Sequence, residues 1–136
     1  MNVDTLLIAD YANVTGSGKL NVMGIFRRIS TTKFPTRHPE MYLIIGLSAG
    51  VEEYGVNRKL TVKLLDPDAQ EMMALLQEFE VPKGKGWQRA RMNRIIQLRD
   101  IIFPKEGTYE FAVLIDNDLK GRIDVELVGR ELKEKE

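Results

Sequence analysis

Two observations in the sequence predict an all-β fold, an antiparallel β-sandwich of about eight strands. The first is residues 107–128, GTYEFAVLIDNDLKGRIDVELV. Tyr109, Phe111, Val113 and Ile115 fall at alternate positions and so share one face of an extended chain. Asp116, Asn117, Asp118 and Gly121 supply turn chemistry. The return arm places Ile123, Val125 and Leu127 inside and Arg122, Asp124 and Glu126 outside. Its charged face predicts a sheet covered on one side. The second observation is spacing. Turn residues punctuate the chain at about the interval expected of sandwich strands, and no βαβ pattern interrupts them.

The approach to this hairpin, Phe103-Pro104-Lys105-Glu106-Gly107-Thr108-Tyr109, fits two readings. In immunoglobulin-like sandwiches an acidic-x-Gly-x-Tyr pattern forms a tyrosine corner, with the ring inside and the hydroxyl bonded to upstream backbone. The alternative is a plain turn followed by an ordinary aromatic strand residue. Gly107 and Tyr109 are the structural residues at issue.

From the start of the chain, residues 3–9 form a short apolar run and predict a strand, with an edge position expected from its length. Residues 20–29 alternate with a switch of parity. Gly24 within the strand predicts a bulge or a close backbone approach, of which the bulge would explain the switch. Residues 30–40 carry two prolines and predict a loop. Residues 41–50 are apolar on both faces and predict a central strand. Residues 58–65 alternate, with Leu60, Val62 and Leu64 inward, and 66–69 is a turn by composition. Residues 70–81 are ambiguous. Met, Ala, Leu, Glu and Gln favour helix, but Phe79 and Val81 alternate with Glu78 and Glu80, so the expectation is a strand bent near Leu75. Residues 82–90 predict a mobile loop and 91–98 a strand. The single domain is expected to span 1–129, with a charged, frayed tail at 130–136.

The chain of 136 residues has no cysteine and zero net charge. A disulfide framework and thiolate chemistry are therefore excluded. Residues 1–11 have neither a basic start nor a long apolar core, so no signal peptide is expected. No run reaches the length of a membrane span. A cytoplasmic protein without membrane association is the expectation.

No motif predicts an enzyme. Gly16-Ser17-Gly18-Lys19 and Lys83-Gly84-Lys85-Gly86 lack the spacing and the helix of a phosphate loop. The one histidine, His38, is expected to be a solvated loop side chain, and no catalytic residue is assigned. A zinc site would need several carboxylates beside that histidine. Asp66, Asp68, Asp116 and Asp118 are weak calcium candidates, because carboxylates converging from two turns at one edge suit an oxygen-seeking ion. Asp and Asn are equally the preferred turn formers. No cofactor is expected.

Charge is unevenly spread. Residues 81–99 carry Lys83, Lys85, Arg89, Arg91, Arg94 and Arg99 without an acid, and include Trp87. Lys83, Lys85, Trp87, Arg89 and Arg91 are the candidate binding residues. A basic groove with an aromatic can neutralise phosphates and stack a base. Arg91 and Arg94 are three apart, however, so a regular strand sends them to opposite faces. Pairing of these arginines with Glu78 and Glu80 would cancel the patch at home.

The order LLIADYA, GKLNVMGIFRRI, KLTVKLLDPD and FPKEGTYEFAVLID resembles an uncharacterised family of small bacterial proteins, a domain of unknown function. That family opens with a Leu-rich strand ending in Asp-Ala. It continues with Gly-Lys-Leu and then Gly-Gly with an aromatic, and ends with Pro-x-x-Gly-x-Tyr before a strand ending in Asp. The resemblance spans residues 2–128, and Met23-Gly24-Ile25-Phe26 departs from its Gly-Gly-aromatic step. It implies the sandwich and supplies no catalytic residue. The expected function is a non-enzymatic interaction module acting through protein–protein contacts, as a homodimer or larger assembly. The alternative is an anionic-ligand or single-stranded nucleic-acid binder. The orientation of Trp87 separates the two: buried is structural, exposed is a binding loop.

Overall fold

In the computed structural model, which describes residues 1–130, the 107–128 segment forms a hairpin of two strands, Gly107–Ile115 and Asp118–Gly129. Tyr109, Phe111, Val113, Ile115, Ile123, Val125 and Leu127 are all buried. Asp116 and Asn117 form the two-residue turn with φ of 50° and 68°. Both values are left-handed, as a hairpin turn matched to strand twist requires. Lys120 is an extra residue opposite the step from Val113 to Leu114, a bulge that keeps the return arm in phase with the core.

Nine strands are present among the described residues: β1 (Asn2–Val14), β2 (Leu20–Ile25), β3 (Arg28–Thr31), β4 (Thr36–Ala49), β5 (Asn57–Leu65), β6 (Glu71–Glu80), β7 (Ala90–Phe103), β8 (Gly107–Ile115) and β9 (Asp118–Gly129). One sheet has the order β2-β1-β4-β7 and the other β3-β9-β8-β5-β6. All pairs are antiparallel except β3 with β9. The sheets close over Ile8, Met41, Leu43, Ile45, Leu60, Leu64, Phe103, Tyr109 and Phe111. Full burial of one such aliphatic or aromatic side chain stabilises the fold by about 1.5–3 kcal/mol.

Three expectations are corrected. Gly24 is no bulge within one long strand. Its φ is +69° and a Cβ there would overlap the Asp10 carboxylate, a close approach within a regular register. The chain leaves the first sheet after Ile25, which still pairs with Ala9, so that β3 joins the second beside β9. The parity switch in 20–29 records a change of sheet. The run at 3–9 is no edge either. β1 extends through Val14 and lies between β2 and β4, its Leu6, Leu7 and Ile8 opposite Ile45, Ile44 and Leu43. Ile8 faces the main core, while Leu7 and Ala9 join Ala12, Ile44 and Ile95 in a second apolar cluster, which explains why that run is apolar on both faces. Finally, the expected loop at 30–40 is largely strand, divided between β3 and β4.

Within 70–81, Glu71–Glu80 forms strand β6, as the alternation indicates, and the helical composition is overridden by pairing with β5. Its irregularity sits at Met72, opposite the step from Leu64 to Leu65, and not near Leu75. β4 is the central strand expected, buried continuously from Leu43 to Ala49. The expected charged tail lies outside the described residues from 131 onward.

Candidate functional site

The connection from β6 to β7 carries the aromatic and basic residues singled out by sequence. Lys85 and Gln88 close a tight turn, the Gln88 amide donating to the Lys85 carbonyl at 3.1 Å. Gly86 sits inside it with φ +57°, a conformation that glycine adopts without steric penalty. Trp87 stands at the tip and is 87% exposed. Lys83, Lys85 and Arg89 are exposed beside it. Trp87 is thus turned outward and does not cap the core.

The loop has a built base. The Tyr54 hydroxyl donates to the carbonyl of Gln88, and Gly84 lies so near that a Cβ there would be 2.5 Å from the Tyr54 oxygen. Tyr54, Gly55, Glu80, Val81, Pro82 and Lys83 line a surface cleft of about 430 Å³ at the loop's foot. Sequence reasoning missed Tyr54, since a tyrosine 34 residues upstream of its partner leaves no local pattern.

The structure does not gather all six cations into one patch. Arg91 pairs with Asp4 at 3.4 Å. Arg89 donates to the Ser48 hydroxyl at 3.3 Å. Arg94 faces the other side of β7 and places its guanidinium 5.0 Å from the centroid of the Phe79 ring, a cation–π contact at the rim of the core. The parity argument is upheld, and the expected pairing of Arg91 and Arg94 with Glu78 and Glu80 is replaced by Asp4 and Phe79. Lys83 and Lys85 form no ion pair among the described residues.

The calcium reading fails on topology. β5 and β8 are antiparallel, with Leu60 opposite Ile115 and Leu65 opposite Glu110. The turn at Asp66 and Asp68 therefore lies at the opposite end of the sheet from Asp116 and Asp118. Each carboxylate also has a local partner. Asp66 accepts from the amides of Asp68 and Gln70, and Asp68 pairs with Lys105. Asp118 pairs with Lys120 at 3.2 Å. Asp116 accepts from Arg58 at 2.8 Å and from the Lys59 amide at 3.0 Å.

Arg58 joins Asp116 to Glu53, donating to the latter at 2.7 Å. Glu53, which is buried, also accepts from the Met1 ammonium at 2.9 Å. That ammonium, and then Arg58, hold the Glu53 carboxyl below its usual range against the opposing effect of burial. Arg58 does the same for Asp116. His38 is in strand β4 rather than a loop. It is half-buried against Phe26, ring centroids 5.8 Å apart. Burial lowers its pKa, partly offset by Asp10. It is thus not the solvated side chain expected.

The tyrosine corner is present. The buried Tyr109 hydroxyl donates to the Lys105 carbonyl at 2.7 Å. Gly107 has φ +146°, and a Cβ there would fall 2.6 Å from Cγ of Pro67.

Fold and site together define an all-β sandwich with a tyrosine corner at one end and a protruding aromatic loop between its two sheets. The chain belongs to the family of unknown function DUF6941, whose model matches residues 4–128. No curated protein matches it. Among the described residues no helix is long and apolar enough to cross a membrane.

Proposed function

We propose that this protein is a non-enzymatic interaction module that binds a protein partner through the Trp87 loop. The carrying observation is Trp87 itself, 87% exposed on a turn that Tyr54 and Gly86 hold in place. Leaving that much apolar surface in water is unfavourable in the free protein. Tryptophan is among the residues that dominate protein interfaces, where it fills a pocket on the partner and is ringed by polar contacts. Lys83 and Lys85 supply such a rim and favour an acidic partner surface. A cytoplasmic setting is part of this reading, as is the bacterial origin implied by the resemblance of the sequence.

Single-stranded nucleic acid is the second reading, supported by an exposed aromatic among cations. Glu80 in the adjoining cleft and the engagement of Arg89 and Arg91 elsewhere favour the protein partner. The test is affinity capture with wild type and Trp87→Ala at matched stability. Proteins recovered with wild type and lost with the variant support the reading. An identical recovered set overturns it.

A further inference from the structure

The sandwich has two open sides, and they are built differently. On one, β2 and β3 are edge strands of 6 and 4 residues. On the other, β6 and β7 are edge strands of 10 and 14 residues. Edge strands expose unpaired backbone donors and acceptors, and proteins usually blunt them by shortness, lysine or proline. β6, EMMALLQEFE, has no lysine and no proline, and its Leu76 is 59% exposed.

The two long edges carry opposite charge. β6 contributes Glu71, Glu78 and Glu80 and no cation, whereas β7 contributes Arg91, Arg94 and Arg99 against the single acid Asp100. They also run antiparallel across the side of the sandwich. Arg94 lies over Phe79 at one end, while Met72, Met73, Ile101 and Ile102 line a shared groove of about 250 Å³ at the other. Glu78 and Glu80 form no ion pair among the described residues.

We propose that this side pairs with a second copy of the chain, β6 of each copy adding to β7 of the other about a two-fold axis parallel to the strands. The charge pattern selects that axis. A two-fold perpendicular to the sheets would set β6 against β6 and β7 against β7. Like charges would then oppose one another, which is destabilising. The parallel axis exchanges the sheets and keeps positions along the strand. With Phe79 level with Arg94, Glu80 of one copy then reaches Arg91 of the other diagonally, Glu78 comes beside Ile95, and Leu76 lies one diagonal step from Ile95. The added strands are antiparallel, because β6 and β7 already are. An interface of this kind is isologous and closes at two copies. Both Trp87 loops emerge at the same end of the dimer, so a partner with two sites meets two anchors.

Sedimentation of the full chain across a concentration series tests the proposal. A wild-type dimer is expected. Glu78→Lys with Glu80→Lys should raise its dissociation constant at least tenfold, and adding Arg91→Glu should restore association by reversing both sides of the contact. Leu76→Lys, at an exposed position that the fold does not need, should also dissociate the dimer. A wild-type monomer at every concentration, or a dimer indifferent to these changes, overturns the proposal. Tighter association of the Glu78→Lys, Glu80→Lys variant overturns the chosen axis. Trp87→Ala should leave sedimentation unchanged, so this test and that of the binding loop fail separately.

Discussion

The hydroxyl of Tyr109 is held twice by one residue: it donates to the carbonyl of Lys105 at 2.7 Å and accepts from the amide of Lys105 at 3.2 Å. Its ring packs edge-on against Phe103, centroids 4.9 Å apart. One side chain thus fixes the turn between β7, in one sheet, and β8, in the other. Tyr109→Phe keeps the ring and removes both bonds, leaving backbone groups in a partly buried turn without their partner. The expected loss is about 1–3 kcal/mol, read as a lower denaturant midpoint with an unchanged slope.

Gly107 stands two residues from that tyrosine, where the β7–β8 turn meets the β5–β6 turn. At φ +146°, with Cγ of Pro67 only 2.6 Å from where a Cβ would be, alanine meets a ring carbon that cannot swing away. Backbone strain of this type costs about 1–3 kcal/mol. Gly107→Ala should therefore destabilise as much as Tyr109→Phe. Adding Pro67→Ala to Gly107→Ala should recover the part due to contact but not the part due to φ. Thermal unfolding of the three variants separates the two.

These two residues were legible in the sequence because the corner is a local pattern, five residues from Lys105 to Tyr109. The β8–β9 hairpin was legible for the same reason, since its alternation and turn are contiguous. The parity switch in 20–29 was misread because a bulge and a change of sheet both break the period of two, and only β9, about a hundred residues later, distinguishes them. The place of β1 was hidden likewise, since length alone does not tell an edge from a strand paired on both sides. At the site, Trp87 and its lysines were visible, but Asp4, Ser48 and Tyr54, which engage Arg91, Arg89 and Gln88, come from distant strands and turns. The two aspartate turns could be placed at opposite ends only once β5 and β8 were known to be antiparallel.

The Glu53–Arg58–Asp116 network predicts an acid limb in stability. Hydrogen bonding to the Met1 ammonium and to Arg58 lowers the folded-state pKa of Glu53, and Arg58 lowers that of Asp116. For a carboxylate lowered by folding, the contribution is fully present above its unfolded pKa and is lost as pH falls through the folded one. Stability should thus hold from neutral pH down to the ordinary carboxylate range and drop below it. Glu53→Gln should lose about 1–3 kcal/mol near neutrality, since the amide keeps one acceptor oxygen and turns its NH2 toward the other charged donor. It should also flatten the acid limb. Urea unfolding at a series of pH values measures both effects.

The last prediction concerns how strongly the Trp87 loop can hold nucleic acid. Arg91 is engaged by Asp4 and Arg89 by Ser48, and Arg94 is turned onto Phe79. Lys83 and Lys85 are the cations left beside the tryptophan. On a single strand, each neutralised phosphate contributes about −0.7 to the slope of log affinity against log salt. Two lysines therefore predict a slope of about −1.4, whereas the five cations Lys83, Lys85, Arg89, Arg91 and Arg94 acting together would give about −3.5. Stacking on Trp87 adds about 1–3 kcal/mol, which lets weak binding appear at low salt without making it specific. Anisotropy of a labelled oligonucleotide, titrated at several salt concentrations, gives the slope. Wild type should show the shallow value, and Trp87→Ala should weaken binding without changing it. A slope near −3.5 would mean that the arginines leave Asp4, Ser48 and Phe79 for phosphate, and the nucleic-acid reading would then displace the protein partner.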